Sequence, residues 1–200
     1  MPSLASRVAS LTLLLLFSRG VAHAQSAALP DCEWCGAQDA PTQLGSALRL
    51  APASESGTPL EITGMVYARD GHSPAPGVLL YVYHTDATGV YPMRGDETGN
   101  GRRHGYLRGW LRTDASGHYQ IATIRPAPYR TRTGPAHIHM TVTPPDGTES
   151  WIESIVFDDD PLLTPLARAQ RTNKGGSGIV RPITDARGMQ HVVRDIVMEH

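Results

Sequence analysis

The fold class this 200-residue sequence predicts is all-β: an antiparallel β-sandwich with long loops and at most one short helix. Three observations predict it. Apolar runs are strand-sized, turn-forming Gly, Pro and Asp residues separate them at short intervals, and the twenty glycines and sixteen prolines weigh against a helical bundle. In chain order, the first strand falls at 62–67, where apolar residues alternate through Ile62-Thr63-Gly64-Met65-Val66-Tyr67 before the Asp70-Gly71 turn. Pro76-Gly77 opens the β-branched and aromatic run 78–83, which the stretch from Asp86 to Gly89 ends. Residues 110–113 lead through Asp114-Ala115-Ser116-Gly117 into a strand at 119–124. After Pro126 and Pro128 comes 137–142, closed by Pro144-Pro145-Asp146-Gly147. Runs at 152–157 and 191–198 complete the set, and the helical signal is confined to one or two turns within 162–170.

Three segments divide the chain. Residues 1–24 read as a secretory leader, with Arg7 in a positive n-region, an apolar run at 11–17 and the small-x-small site Ala22-His23-Ala24. The expected location is therefore exported, periplasmic or secreted. Removing those 24 residues leaves 176 and takes Arg7 and Arg19 but no acid, so the formal charge moves from −1 to −3. That balance excludes a nucleic-acid binder driven by net charge. The apolar run is far short of the ~20 residues a membrane span needs. Residues 25–59 read as an N-terminal arm, and 60–200 as the β body. The arm carries both cysteines, in Cys32-Glu33-Trp34-Cys35. Such a pair is a redox motif, half a zinc site or a small disulfide; an oxidising compartment and the lack of a βαβ context favour the local disulfide.

His137-Ile138-His139 is the sharpest chemical feature. Side chains at i and i+2 of a strand share a face, so both imidazoles project together while Ile138 turns the other way, which is how a sheet presents two metal ligands. Ala136 and Gly134-Pro135 leave room beside the pair, and tyrosine-bearing loops precede it. The bland alternatives are two surface histidines, a Tyr91 that plugs a sandwich end and a Tyr129 bonded to backbone at a corner. Competing machinery is missing: there is no Gly-x-Ser-x-Gly elbow, phosphate-binding glycine loop or His-Glu-x-x-His. Lys174 to Gly178 reads as a flexible loop, Asp158-Asp159-Asp160 as an acidic turn rather than a calcium site, and Arg102-Arg103-His104 as solvated loop.

From Gly64 to His139 the chain resembles the intradiol ring-cleavage dioxygenases, the family of the protocatechuate and catechol dioxygenases. The resemblance runs through Tyr83-His84-Thr85-Asp86-Ala87-Thr88-Gly89-Val90-Tyr91, then Arg108-Gly109-Trp110-Leu111-Arg112-Thr113-Asp114, Thr123-Ile124-Arg125-Pro126-Ala127-Pro128-Tyr129 and Pro135-Ala136-His137-Ile138-His139, in the family's order. It implies a mononuclear non-haem Fe(III) bound by Tyr91, Tyr129, His137 and His139, with no nicotinamide, flavin or haem. Hard ferric iron suits phenolate oxygen and imidazole nitrogen. It further implies a catechol substrate that chelates the iron and displaces Tyr129, which takes up a proton. Dioxygen then attacks the ring, and cleavage between the hydroxylated carbons gives a muconate-type diacid.

Two positions depart from the family pattern. Gly134 stands where members carry an arginine that stabilises charge on the ring, and Arg130 or Arg132 could supply that cation from nearby. Ser154 stands where a glutamine is usual. The loop 92–106 and the turn 130–135 are the expected pocket walls. The expected partners are a small-molecule catechol and O2, with no nucleic acid or membrane span; self-association as a homo-oligomer is left open. The competing readings are a transthyretin-like binding or structural module, which needs neither the histidine pair nor paired tyrosines, and an iron-binding relative whose ring cleavage has lapsed.

Overall fold

Alternating side chains turn the β-branched runs of this chain into strands that bury one face each, and two such faces make a core. The computed structural model describes residues 29–199; the leader predicted at 1–24 lies outside the described residues. The strands are β1 (Ala47–Arg49), β2 (Pro59–Tyr67), β3 (Leu79–His84), β4 (Arg108–Arg112), β5 (His118–Ile124), β6 (His137–Thr143), β7 (Ser150–Phe157), β8 (Ile179–Val180), β9 (Ile183–Thr184), β10 (Gln190–Val193) and β11 (Ile196–Val197). One sheet runs β1-β5-β2-β10-β9, with β11 also on β2; the other runs β4-β3-β6-β7-β8. Between them lies one hydrophobic core, to which Ile62, Val66 and Ile121 contribute from the first sheet and Leu80, Val82, Ile138 and Met140 from the second. Each of these aliphatic side chains stabilises the fold by about 1.5–3 kcal/mol on full burial. No helix among the described residues is long and apolar enough to cross a membrane.

The sandwich and the seven predicted strand runs match this architecture, and two details correct the prediction. First, the sheets are not purely antiparallel. The central ladders β2–β5, β3–β4, β3–β6 and β6–β7 are, whereas β1 on β5, β8 on β7, and β10 and β11 on β2 run parallel. Hairpins join antiparallel neighbours, but these additions arrive through long connections and can enter in either direction. The predicted run 191–198 breaks into β10 and β11 because Arg194 turns its carbonyl onto β2. Tyr119 donates to that oxygen at 2.6 Å, and a Cβ at Gly64 would lie 2.0 Å from it. Second, there are two short helices rather than one. α2 (Pro165–Ala169) lies in the predicted stretch and is capped by Thr164, whose Oγ1 accepts from the Ala167 N–H at 3.2 Å. α1 (Gly101–His104) is a single turn with no periodicity to announce it.

β3 is buried along its whole length. Its inward face carries Leu80, Val82 and His84; its outward face carries Tyr81 and Tyr83, and there the site is built. His84 ties the sheets together, with Nδ1 2.7 Å from the Thr85 carbonyl and Nε2 2.7 Å from Thr123 Oγ1 on β5. Burial holds its pKa down at about 4, against an ordinary 6.5. The unfolded chain therefore takes up a proton near pH 6.5 that the folded protein refuses until about pH 4, so stability present above 6.5 is lost as pH falls through that window. His104 shifts in the same direction. Metal-free protein is expected to show thermal midpoints that drop steadily from pH 7 to pH 4.5; a flat profile over that range would contradict the assignment.

Candidate metal centre

The outward face of the second sheet collects the chemistry. On β6, Ile138 and Met140 enter the core while His137 and His139 face outward beside Tyr83, the register partner of His139 on β3. The Tyr83 and His139 rings stack at 4.6 Å between centroids, 16° apart in plane. β7 carries a bulge at this point. His137 pairs with Val156 and Ile138 with Ile155, but Met140 pairs with Ile152, leaving Glu153 and Ser154 opposite His139 alone. The bulge brings Ser154 Oγ to 3.3 Å from His139 Nδ1.

Two loops deliver the tyrosines. Asp86 folds the first, its Oδ1 accepting from the Thr88 N–H at 2.8 Å and the Val90 N–H at 3.1 Å. The second is stitched to it where the Ala127 N–H donates to the Asp86 carbonyl at 3.0 Å and Thr85 Oγ1 to the Ala127 carbonyl at 2.8 Å. Gly89 permits the approach: at φ +79° it sits where a Cβ would be 2.2 Å from the Pro128 carbonyl oxygen.

Four donor atoms converge as a result. Tyr91 Oη and Tyr129 Oη share a hydrogen bond of 2.7 Å, Tyr129 Oη lies 3.1 Å from His139 Nε2, and His139 Nε2 lies 3.0 Å from His137 Nε2. His137 Nδ1 is 2.8 Å from the Pro135 carbonyl, which can only accept, so the hydrogen sits on Nδ1 and Nε2 keeps its lone pair for the cluster. Burial pushes the Tyr91 phenol up and the His137 imidazole down, and holds His139 at about 3. Tyr91, His137 and His139 are thus uncharged donors, and the cluster as a whole is built of oxygen and nitrogen. That set fits a hard trivalent cation, which would draw the phenol protons off. No group of three His, Cys, Asp or Glu stands together among the described residues; the oxygen donors here are tyrosines.

Tyr91, Tyr129 and His139 line a cavity of about 560 Å³, a volume ordinary for small-molecule sites. Its walls include Glu33, Trp34, Arg103, His104, Trp151, Glu153 and Ser154. Arg130 and Arg132 are exposed and are not among the lining residues; the arginine that lines the cavity is Arg103. A Cβ at Gly134 would meet nothing within 4 Å. The reading of 102–104 as solvated loop is corrected as well. His104 is buried, stacks on Tyr83 at 3.6 Å and 9°, and meets Tyr81 Oη at 2.8 Å through Nδ1. No periodic signal marks these residues in the sequence, because their burial depends on tyrosines two dozen positions away.

Fold and site together define a class: a two-sheet β protein carrying two phenols and two imidazoles at the head of a cavity outside one sheet. A family model described as "Dioxygenase" matches residues 36–191, and the chain belongs to the intradiol ring-cleavage dioxygenase family. Catechol 1,2-dioxygenase 1 of Acinetobacter lwoffii is 28% identical over 160 residues, covering 72% of this chain and 48% of that protein. Catechol 1,2-dioxygenase 2 of the same organism is 31% identical over 142 residues, covering 62% and 48%. The chain thus spans about half the length of these curated relatives. Among solved structures, the dioxygenase domain of a dioxygenase–carbohydrate-binding fusion from Streptomyces sp. SirexAA-E aligns with a TM-score of 0.59 and 23% identity over 78% of this chain and 88% of that one. The 3-chlorocatechol 1,2-dioxygenase of Rhodococcus opacus 1CP aligns with a TM-score of 0.60 and 20% identity over 78% and 65%. At such identities the likeness is one of fold.

Proposed function

We propose that this chain is an exported Fe(III)-dependent dioxygenase that cleaves a catechol-type ring between its two hydroxylated carbons, both atoms of O2 entering a muconate-type diacid. The observation that carries this reading is the convergence of Tyr91, Tyr129, His139 and His137, whose donor atoms follow one another at 2.7, 3.1 and 3.0 Å, the first three of these residues lining the cavity. These four residues would hold the iron. When bound, Fe(III) would supply the Lewis acidity that draws the protons off the tyrosine phenols and the catechol, and the doubly deprotonated catechol is electron-rich enough to react with O2.

The chain's own residues then have separable tasks. Stacking on Tyr83 and the Ser154 contact orient His139, while the Pro135 carbonyl orients His137. Tyr129 Oη touches both Tyr91 Oη and His139 Nε2, and as a phenolate, with the metal bound, it would be the group that receives a substrate proton. Export is supported by the leader pattern and by the disulfide joining Cys32 to Cys35. A second reading, iron binding without ring cleavage, is favoured by one observation: Gly134 leaves open space where an arginine is usual, and Arg130 and Arg132 are exposed.

The test is a visible absorption spectrum of purified protein after ferric loading, with catechol then added anaerobically. The expected result is a broad tyrosinate-to-iron band that catechol moves to longer wavelength and that Tyr129→Phe alters, followed by O2 uptake when air is admitted. Band and shift without O2 uptake would establish the second reading. A colourless protein that takes up no iron would sink both.

A further inference from the structure

The disulfide-closed turn 32–35 is the one prominent motif that the four donors leave unexplained, and it is bound to the body at nearly every carbonyl. Asn100, fully buried at the start of α1, donates from Nδ2 to the carbonyls of Cys32 at 2.7 Å and Cys35 at 2.5 Å. A ring N–H of His104 donates to the carbonyl of Glu33. Arg103 reaches the Pro30 carbonyl at 2.7 Å, and Trp110 Nε1 the Gly36 carbonyl at 2.7 Å. From the other side, the Glu149 carboxylate accepts from the N–H groups of Gly36 at 2.9 Å and Ala37 at 3.0 Å.

With its backbone so occupied, the turn offers its side chains elsewhere. Glu33 and Trp34 line the cavity that holds Tyr91, Tyr129 and His139. A stack of rings joins the turn to the donors: His104, which the Glu33 carbonyl holds, lies 3.6 Å from Tyr83, which lies 4.6 Å from His139. A flexible arm would not be anchored at five carbonyls between Pro30 and Gly36 to place one half-buried indole at a cavity wall.

We propose that the 32–35 turn is the recognition wall of the substrate cavity, and that Trp34 packs against the bound aromatic ring and decides which ring substituents are admitted. The disulfide holds the four-residue turn closed so that the indole keeps its place. This inference rests on the catechol-cleaving reading above. An indole offers a large rigid face to a planar ring, and its removal both forfeits that contact and opens space beside it.

The experiment titrates the iron-loaded full chain anaerobically with catechol and with 4-tert-butylcatechol, following the visible band, for wild type, Trp34→Ala, Trp34→Phe and the Cys32→Ser/Cys35→Ser pair. Trp34→Ala is expected to weaken catechol binding by about tenfold while the band before substrate stays unchanged, and to raise the relative affinity for the bulky catechol. Trp34→Phe is expected to stay within about threefold of wild type, because a planar aromatic face remains. The cysteine pair is expected to behave as Trp34→Ala does. Unchanged affinity and unchanged preference in Trp34→Ala with the band intact would overturn this inference alone. Equal weakening for both ligands together with loss of the band would show a scaffold role and overturn it too. A wild type that takes up no iron would bring down the catechol reading, and this inference with it.

Discussion

His139→Ala is expected to abolish ferric-iron uptake and O2 consumption while leaving a folded protein. His139 Nε2 is the centre of the donor cluster, within 3.1 Å of Tyr129 Oη and 3.0 Å of His137 Nε2. Losing a hydrogen-bond partner of a metal ligand costs roughly 10–100-fold in metal affinity, and losing the ligand itself costs more. The fold survives because the neighbours of His139 on β6, Ile138 and Met140, supply the core contacts, and because burial of an uncharged imidazole away from the core contributes little to it. Isothermal titration or the visible band would measure the loss, and circular dichroism would report the fold. Retention of iron with near wild-type affinity would remove His139 from the donor set and with it the observation on which the proposed function stands.

Gly89→Ala is expected to damage stability and metal binding together. At φ +79° an alanine is strained by about 1–2 kcal/mol, and its Cβ would lie 2.2 Å from the Pro128 carbonyl oxygen, which is backbone and cannot swing aside. Together these should cost about 2–4 kcal/mol, or a fall in melting temperature of about 5–15 °C for a chain of this size. The loops that yield to the new methyl group carry Tyr91 and Tyr129, so iron affinity should fall as well. Gly71→Ala is the control, because Gly71 has φ +73° and a Cβ there meets nothing within 4 Å. Its expected cost is the strain alone, about 1–2 kcal/mol, with iron affinity unchanged. If the two substitutions behave alike, close approach of the two tyrosine loops is not what Gly89 provides.

What could be read from the sequence was whatever depends on neighbours in the chain. Period-two alternation placed β2, turn residues marked its end and the start of β5, and the i, i+2 rule put His137 and His139 on one face of β6 with Ile138 inside. The order of Tyr91, Tyr129, His137 and His139 carried the family resemblance, and the match over residues 36–191 agrees with it. Short edge strands such as β1, β8 and β9 escaped, since two or three residues hold no period. So did the parallel pairing of β10 and β11 with β2, which rests on Gly64 accepting a distant carbonyl.

By itself, then, the sequence determined the β class and the donor types, because strand periodicity and side-chain chemistry are local properties. Only the tertiary structure decided that the donors meet. The contact of Gly89 with Pro128 sets the tyrosine loops side by side, and the bulge in β7 turns Ser154 toward His139. Tertiary structure also chose the cavity walls, drawing in Trp34 and Arg103 and leaving Arg130 and Arg132 in solvent. Such choices turn on distances between segments tens of residues apart, and packing sets those distances, whereas spacing along the chain does not.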